Sequence, residues 1–267
     1  VITLWNRARI EAWWMYVGVN VALIVSILLA SRYTQRCRPE AACWIRLGHL
    51  VVLILSAFSE TGYLLDRIDP VKSDATLIAI DLWIFGVHPT VWLSAWLNPV
   101  AVEILQWTYA TYYFLPIALG TLLIRRGRFR EFDTFCLAIV LGFYVSYVGY
   151  YMVPAVGPRL TIHVDEPLPT GLWGFHTIYH VLNSLEPTKM DCFPSGHTLV
   201  TSIVLWFAWK YSRRSLVILG PLGLGILAST MYLRYHYVID VLAGLAICAV
   251  LSATAPRMVA RWYGEDD

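Results

Sequence analysis

Along this chain, apolar residues come in long blocks rather than in alternation. Blocks at 12–31, 44–65, 99–124, 133–153, 193–211, 215–234 and 238–256 approach or exceed the ~20 residues that a helix needs to cross a bilayer, and charges or Pro/Gly punctuation bound each one. The block at 76–97 differs: it is apolar and Trp-rich, yet carries Asp81, His88 and Pro89. A carboxylate and a proline are both unfavourable in hydrocarbon, so this segment reads as an interfacial or re-entrant helix. The pattern predicts an all-α fold, a polytopic membrane helix bundle of about seven transmembrane helices plus one interfacial helix. The first block is too long for a cleavable leader and lacks a small-residue cleavage site.

Composition agrees. Charged residues make up 14% of the chain, where a water-soluble domain carries about 25%. Twelve Trp and sixteen Tyr suit interfacial aromatic belts. The net charge of +2 comes with no basic stripe, which argues against nucleic acid as a partner. Cys37, Cys43, Cys136, Cys192 and Cys248 are scattered, with no CxxC pair. They read as small core residues rather than a disulfide framework or a metal site, and no cofactor is expected.

Basic residues fix the orientation. Arg32, Arg36, Arg38 and Arg46 separate the first two blocks, and Arg125, Arg126, Arg128 and Arg130 separate the third and fourth. Lys210, Arg213 and Arg214 follow the fifth, and Arg257 and Arg261 the seventh. Seven spans put all four clusters on one side, which the positive-inside rule makes cytoplasmic. The other face then holds Asp66, Asp69, Asp74, Asp165, Glu166, Glu186 and Asp191, together with the long Pro- and Gly-rich connection 154–191. A connection of that length is usually functional, and it is placed to roof a site. The acidic end 264–267 is expected to be disordered.

The candidate chemistry lies on that same outer face. In Cys192-Phe193-Pro194-Ser195-Gly196-His197-Thr198, Pro194 suits the first turn of a helix. Ser195 and Gly196 would then offer unpaired N–H groups at the positive end of the helix dipole, an anion site beside His197. The plainer reading is a helix start with a histidine near headgroups. In Arg234-Tyr235-His236-Tyr237-Val238-Ile239-Asp240, His236 and Asp240 are four apart and share a face if the helix is continuous. A carboxylate on one imidazole nitrogen frees the other to attack phosphorus, whereas the plain alternative is a self-satisfied buried pair. Arg159 could hold phosphate oxygens or simply a lipid headgroup, and Arg234 could snorkel to the surface. Glu60 and Glu103 read as neutral or hydrogen-bonded packing residues. His163, His176 and His180 read as surface or gating residues, and His49 and His88 have no companion motif.

Gly157-Pro158-Arg159, Pro194-Ser195-Gly196-His197 and Tyr235-His236-Tyr237-Val238-Ile239-Asp240 resemble the motifs of the type 2 phosphatidic acid phosphatase superfamily. The similarity is greatest to its inositol phosphorylceramide synthase branch and spans roughly residues 95–255, with Asp81, Phe85, Gly86 and Pro89 similar to the segment ahead of that branch's core. The resemblance implies a six-helix catalytic core that needs no metal. It divides the chain into N-terminal and interfacial helices at 1–98, the catalytic core at 99–256 and a cytoplasmic tail at 257–267. It implies His236 as the nucleophile, Asp240 as its orienting partner and His197 as the general acid, with Ser195, Gly196 and Arg159 on the phosphoryl oxygens. The chain departs from the phosphatase pattern at Met152 and Thr230, where that pattern has Lys and Arg, although Ser229 fits. Arg234, one turn beyond Thr230, is a candidate replacement for the lost charge. Both losses favour the transferase branch.

Three functions compete. In the first, a lipid phosphoester gives its phosphoryl group to His236 and then to water or to a hydroxyl such as that of inositol or another lipid. Membrane lipids are its surroundings and its substrates, and the modest outer domain favours a broad lipid range. The second, a haloperoxidase with a similar oxyanion cradle, is a soluble enzyme and conflicts with seven apolar blocks. The third is a non-catalytic lipid-phosphate binding or transport protein, which would need no proton donor at His197.

Overall fold

A computed structural model describes residues 3, 8–68, 70–166, 168–169, 171–185 and 188–264. Asp69, Glu186 and tail residues 265–267 lie outside the described residues, as do most of the first seven positions. The described residues form eleven α-helices and no strand, so the all-α reading is borne out. They are α1 (Trp13–Thr34), α2 (Pro39–Ile68), α3 (Asp74–Phe85), α4 (Pro89–Ser94), α5 (Pro99–Ala110), α6 (Phe114–Arg125), α7 (Phe129–Met152), α8 (Phe175–Leu185), α9 (Gly196–Tyr211), α10 (Leu216–Tyr232) and α11 (Val238–Trp262).

Five helices, α1, α2, α7, α10 with its leading turn, and α11, are long and apolar enough to cross a membrane. This is an integral membrane protein. The block at 99–124 is not one straight span: α5 and α6 meet at a 49° bend and together make a sixth. Thr108 and Thr111 sit before the break, and their hydroxyls donate to the carbonyls of Ile104 and Thr108 at 2.7 Å each. Such back-bonding competes with the helix ladder and favours bending. The block at 193–211 becomes the 16-residue α9, about 24 Å long at 1.5 Å per residue. Short as it is, α9 is the centre of the bundle. Leu199, Val200, Ile203, Val204, Phe207 and Ala208 are fully buried against α6, α7, α10 and α11, while Trp206 and Trp209 form its exposed face. At the edge, α1 buries none of its described residues and packs chiefly on α2.

Segment 76–97 is broken into α3 and α4 at Gly86, whose φ is +70°. At 12 and 6 residues neither helix reaches across the ~30 Å hydrocarbon core. Residues 257–262 continue α11 as helix.

The arginine-bearing connections gather at one end of the bundle. Arg126 donates to the Ser212 hydroxyl at 2.6 Å, Arg128 to the Tyr211 carbonyl, and Arg46 pairs with Asp133 at 2.6 Å. Tyr263, just past α11, donates to Asp133 at 2.8 Å. Helices α7, α9 and α11 run from this end to Val153, Ser195 and Tyr237 at the other, where both histidine motifs lie.

Candidate active site

Helix α10 stops at Tyr232 and α11 starts at Val238, so His236 stands in the connection just outside α11. The shared helical face expected for His236 and Asp240 does not exist, because Asp240 caps α11 instead. Its Oδ2 accepts the Tyr237 N–H at 2.8 Å, closing a capping box. His236 Nδ1 lies 3.6 Å from Asp240 Oδ2 but 2.9 Å from the backbone carbonyl of Cys192. A carbonyl oxygen can only accept, so Nδ1 carries the proton and Nε2 keeps its lone pair. The group that fixes the His236 tautomer is thus a main-chain oxygen, and Asp240 acts one step further out. The Cys192 thiol donates to Asp240 Oδ2 at 2.9 Å. Burial pushes that thiol well up, with the Asp240 charge adding to the effect, which keeps it a neutral donor.

Ser195 is the N-cap of α9, and its Oγ accepts the Thr198 N–H at 3.2 Å. Pro194 therefore precedes the cap rather than filling the first turn. The Ser195 N–H is not available to an anion, since it donates to the Asp240 carbonyl at 3.1 Å. Gly196 opens the helix and approaches the Tyr150 hydroxyl so closely that a Cβ would come within 2.7 Å of it. His197 is wedged between Tyr109 and Tyr112, with ring centroids 4.3 and 4.1 Å away, and its Nδ1 meets the Tyr109 hydroxyl at 3.3 Å. Its ring centroid is 6.0 Å from that of His236.

Arg159 sits on a 3₁₀ turn after Gly157, whose φ of +87° and 2.5 Å Cβ approach to the Tyr235 carbonyl require glycine. The Arg159 N–H donates to the Arg234 carbonyl at 2.9 Å, which ties this loop to the His236 connection. The guanidinium lies between the Tyr179 and Tyr235 rings, and its Nη1 is buried without a hydrogen-bond partner among the described residues.

A cavity of about 30 Å³ is lined by Arg159, His197 and His236, together with Tyr109, Tyr235, Lys189 and Asp191. An apolar crevice between α2 and α7, lined by Ile54, Leu55, Phe58, Phe143 and Tyr147, reaches the same His197 and Asp191, with Gly196 at its end. Ser195, Asp240 and Arg234 line neither space. Arg234 in particular does not replace the missing charge at Thr230. It lies beyond the end of α10 at φ +62°, and its guanidinium binds the Ser94 hydroxyl at 2.8 Å and the Glu166 carbonyl. Met152 is 76% exposed and does not line the cavity. Cys192 Sγ, His236 Nδ1 and Asp240 Oδ2 are the group with metal-ligand chemistry among the described residues, all within 4.8 Å. The hydrogen bonds just described account for their proximity.

Two carboxylates of α3 hold the site together. Asp74 accepts the N–H groups of Val156 and Gly157 at 3.1 and 2.9 Å and the Tyr237 hydroxyl at 2.8 Å. Asp81 accepts the N–H groups of Val238 and Ile239 at the start of α11, at 2.8 and 2.9 Å. Burial pushes the Asp81 carboxyl up, and these two N–H groups pull against it.

The sequence profile of the PAP2 superfamily, the type 2 phosphatidic acid phosphatases, matches residues 75–254. The chain belongs to the PAP2 superfamily. It is also 27% identical over 157 residues to a phosphoinositol dihydroceramide synthase of Bacteroides thetaiotaomicron, which covers 54% of this chain and about half, 51%, of that relative. No solved structure gives a significant match.

The superfamily match begins at Ala75, one residue into α3, so it includes Asp81 and leaves Asp74 just outside. Within this PAP2 core the described residues of the connection 154–191 form a structured roof. Glu103 accepts Leu172, Gly174 and Phe175 N–H groups at 3.0, 2.9 and 3.0 Å, capping α8. Glu103 is thus hydrogen-bonded, as the sequence suggests, but its partners hold the roof rather than the core. Glu60 is likewise bonded, accepting from Asn20 at 2.6 Å. His163 is not a surface residue. Only 3% exposed, it bridges Thr90 of α4 and Glu166 at 3.0 Å each. Tyr109, Val156, Lys189 and Asp191 are the lining residues that no local motif marks.

Proposed function

We propose that this protein is a lipid phosphotransferase or phosphatase working through a phosphohistidine at His236. The observation that carries the reading is the Nδ1–carbonyl hydrogen bond of His236, which leaves Nε2 as a nucleophile in the cavity shared with His197 and Arg159. In the first step Nε2 attacks phosphorus and the ester P–O bond breaks. The departing alcohol takes a proton from His197. In the second step His197 removes a proton from the acceptor hydroxyl, which attacks phosphorus, and the P–N bond breaks. Arg159 holds the non-bridging oxygens as charge develops on them. Asp240 acts by positioning, through Tyr237 and Cys192.

The apolar crevice ending at His197 suits the aliphatic part of a lipid, which puts the leaving alcohol beside the proton donor. The cavity has room for only about two waters, so the roof must shift to admit substrate, and its closure excludes water in favour of another acceptor. The name of the relative favours transfer of a phosphoryl headgroup from a phospholipid to a lipid hydroxyl. The arginine-rich end, cytoplasmic by the positive-inside rule, supports an extracytoplasmic face for the chemistry.

The test is diacylglycerol release by purified protein in lipid vesicles, using phosphatidylinositol or phosphatidic acid as donor, with and without a ceramide acceptor. Release that depends on His236 and His197, faster with the diester and the acceptor, supports the reading. No release from either donor rejects it.

A further inference from the structure

We propose that Lys189 is the second cation of the phosphate cradle, and that phosphate takes it and Arg159 from the amide oxygen of Asn183. The inference rests on the phosphoryl-transfer reading. Lys189 Nζ lies 2.9 Å from Asn183 Oδ1, and Arg159 Nη2 lies 3.4 Å from the same oxygen. One neutral amide oxygen therefore stands between two cations that both face His236 and His197 across the cavity. Phosphate oxygens are the stronger acceptors for ammonium and guanidinium groups, so an arriving phosphate outcompetes the amide. Arg159, which lines this cavity, also has a buried Nη1 with no hydrogen-bond partner among the described residues, a donor left for an anion.

The backbone carrying Lys189 is held in place on both sides. Thr188 donates to Asp66 at 3.0 Å and accepts the Met190 N–H at 3.0 Å, while the Cys192 N–H donates to the Ala155 carbonyl at 3.2 Å. Three residues after Lys189 comes the carbonyl that fixes His236, so cation and nucleophile share one short segment. Asn183 belongs to α8, which Glu103 anchors at its other end. Phosphate binding thus breaks the contacts that tie the far end of the roof helix to the site, coupling occupancy to roof position.

The experiment measures orthovanadate and inorganic phosphate binding by calorimetry, on full-length detergent-purified protein, so no lipid need be identified. Lys189→Met is expected to weaken vanadate about tenfold or more, and Lys189→Arg to stay within about threefold of wild type. Asn183→Ala is expected to tighten binding, because it removes one competing acceptor. If Lys189 only latches the roof, Lys189→Met leaves vanadate affinity unchanged or Asn183→Ala weakens it equally, and either result overturns the proposal. Should Lys189→Met fail to fold, a more than tenfold loss in folded Lys189→Arg likewise overturns it, since a displaced cation at this site is still a cation. Wild-type protein that binds no oxyanion would overturn the cradle and the phosphoryl-transfer reading together, whereas wild-type binding with an unaltered Lys189 variant overturns only the lysine assignment.

Discussion

Asp74→Ala removes the acceptor that joins the Arg159 loop to the His236 connection. Three donors lose their partner: the Val156 and Gly157 N–H groups and the Tyr237 hydroxyl, at 2.8 to 3.1 Å from a carboxylate that is 5% exposed. A hydrogen bond to a charged group contributes about 1.5–3 kcal/mol, but neighbouring bonds share relaxation and do not add. About 4 kcal/mol is a reasonable total for the three. If two-thirds of it is lost from loop placement in the transition state, kcat/KM falls about 100-fold, at 1.36 kcal/mol per tenfold. Arg159 would be misplaced without being touched. Asp74→Asn makes the graded comparison: one oxygen remains, but an amide NH₂ meets the Val156 N–H, donor against donor, so an intermediate loss of about tenfold is expected. The assay is diacylglycerol release under single-turnover conditions, with thermal unfolding measured alongside. Activity of folded Asp74→Ala within threefold of wild type would refute the claim that α3 sets the site geometry.

Other substitutions divide the roles further. Cys192→Ala should cost less than about fivefold in turnover, because the backbone carbonyl, not the thiol, holds His236. A loss beyond 100-fold would assign that work to the side chain. Glu103→Ala, which uncaps α8, should speed proteolysis of residues 171–185 and raise hydrolysis relative to transfer, both read on vesicle-embedded protein. For His163, burial holds the imidazole below its ordinary range. A depressed pKa stabilises the fold above the unfolded value of ~6.5, and that contribution is lost as pH falls. Amide protection across residues 161–166, taken relative to the intrinsic exchange rate at each pH, should therefore fall between about pH 7.5 and about 5.5, and His163→Gln should flatten the profile.

Much of this architecture is legible in the residues. Block hydropathy marks the spans and the arginine clusters mark one end, because desolvation acts on every residue of a membrane helix. The three motifs meet because Gly157 lets the Arg159 loop touch Tyr235, and because Asp240 and Ser195 start their helices side by side. Other features leave no local pattern. The Cys192 carbonyl belongs to the backbone, so no side-chain spacing announces it. The His236–Asp240 interval looks helical, yet the helix begins between them. Lys189 reaches the cavity through the roof fold, and its residue type alone resembles any outer-loop lysine. Helix α8 is a middle case: Phe175, Ile178, Tyr179 and Leu182 have helical spacing, but the Pro and Gly content of 154–191 hides it.

The central claim is covalent transfer through His236, and trapping the intermediate tests it most directly. Wild-type protein, His236→Ala and His197→Ala would be quenched within one turnover on a phospholipid labelled at phosphorus. The account predicts acid-labile, alkali-stable label on wild type and on His197→Ala, the latter forming more slowly, with none on His236→Ala. Label that survives His236→Ala, or lipid turnover by that variant at the wild-type rate, would contradict it.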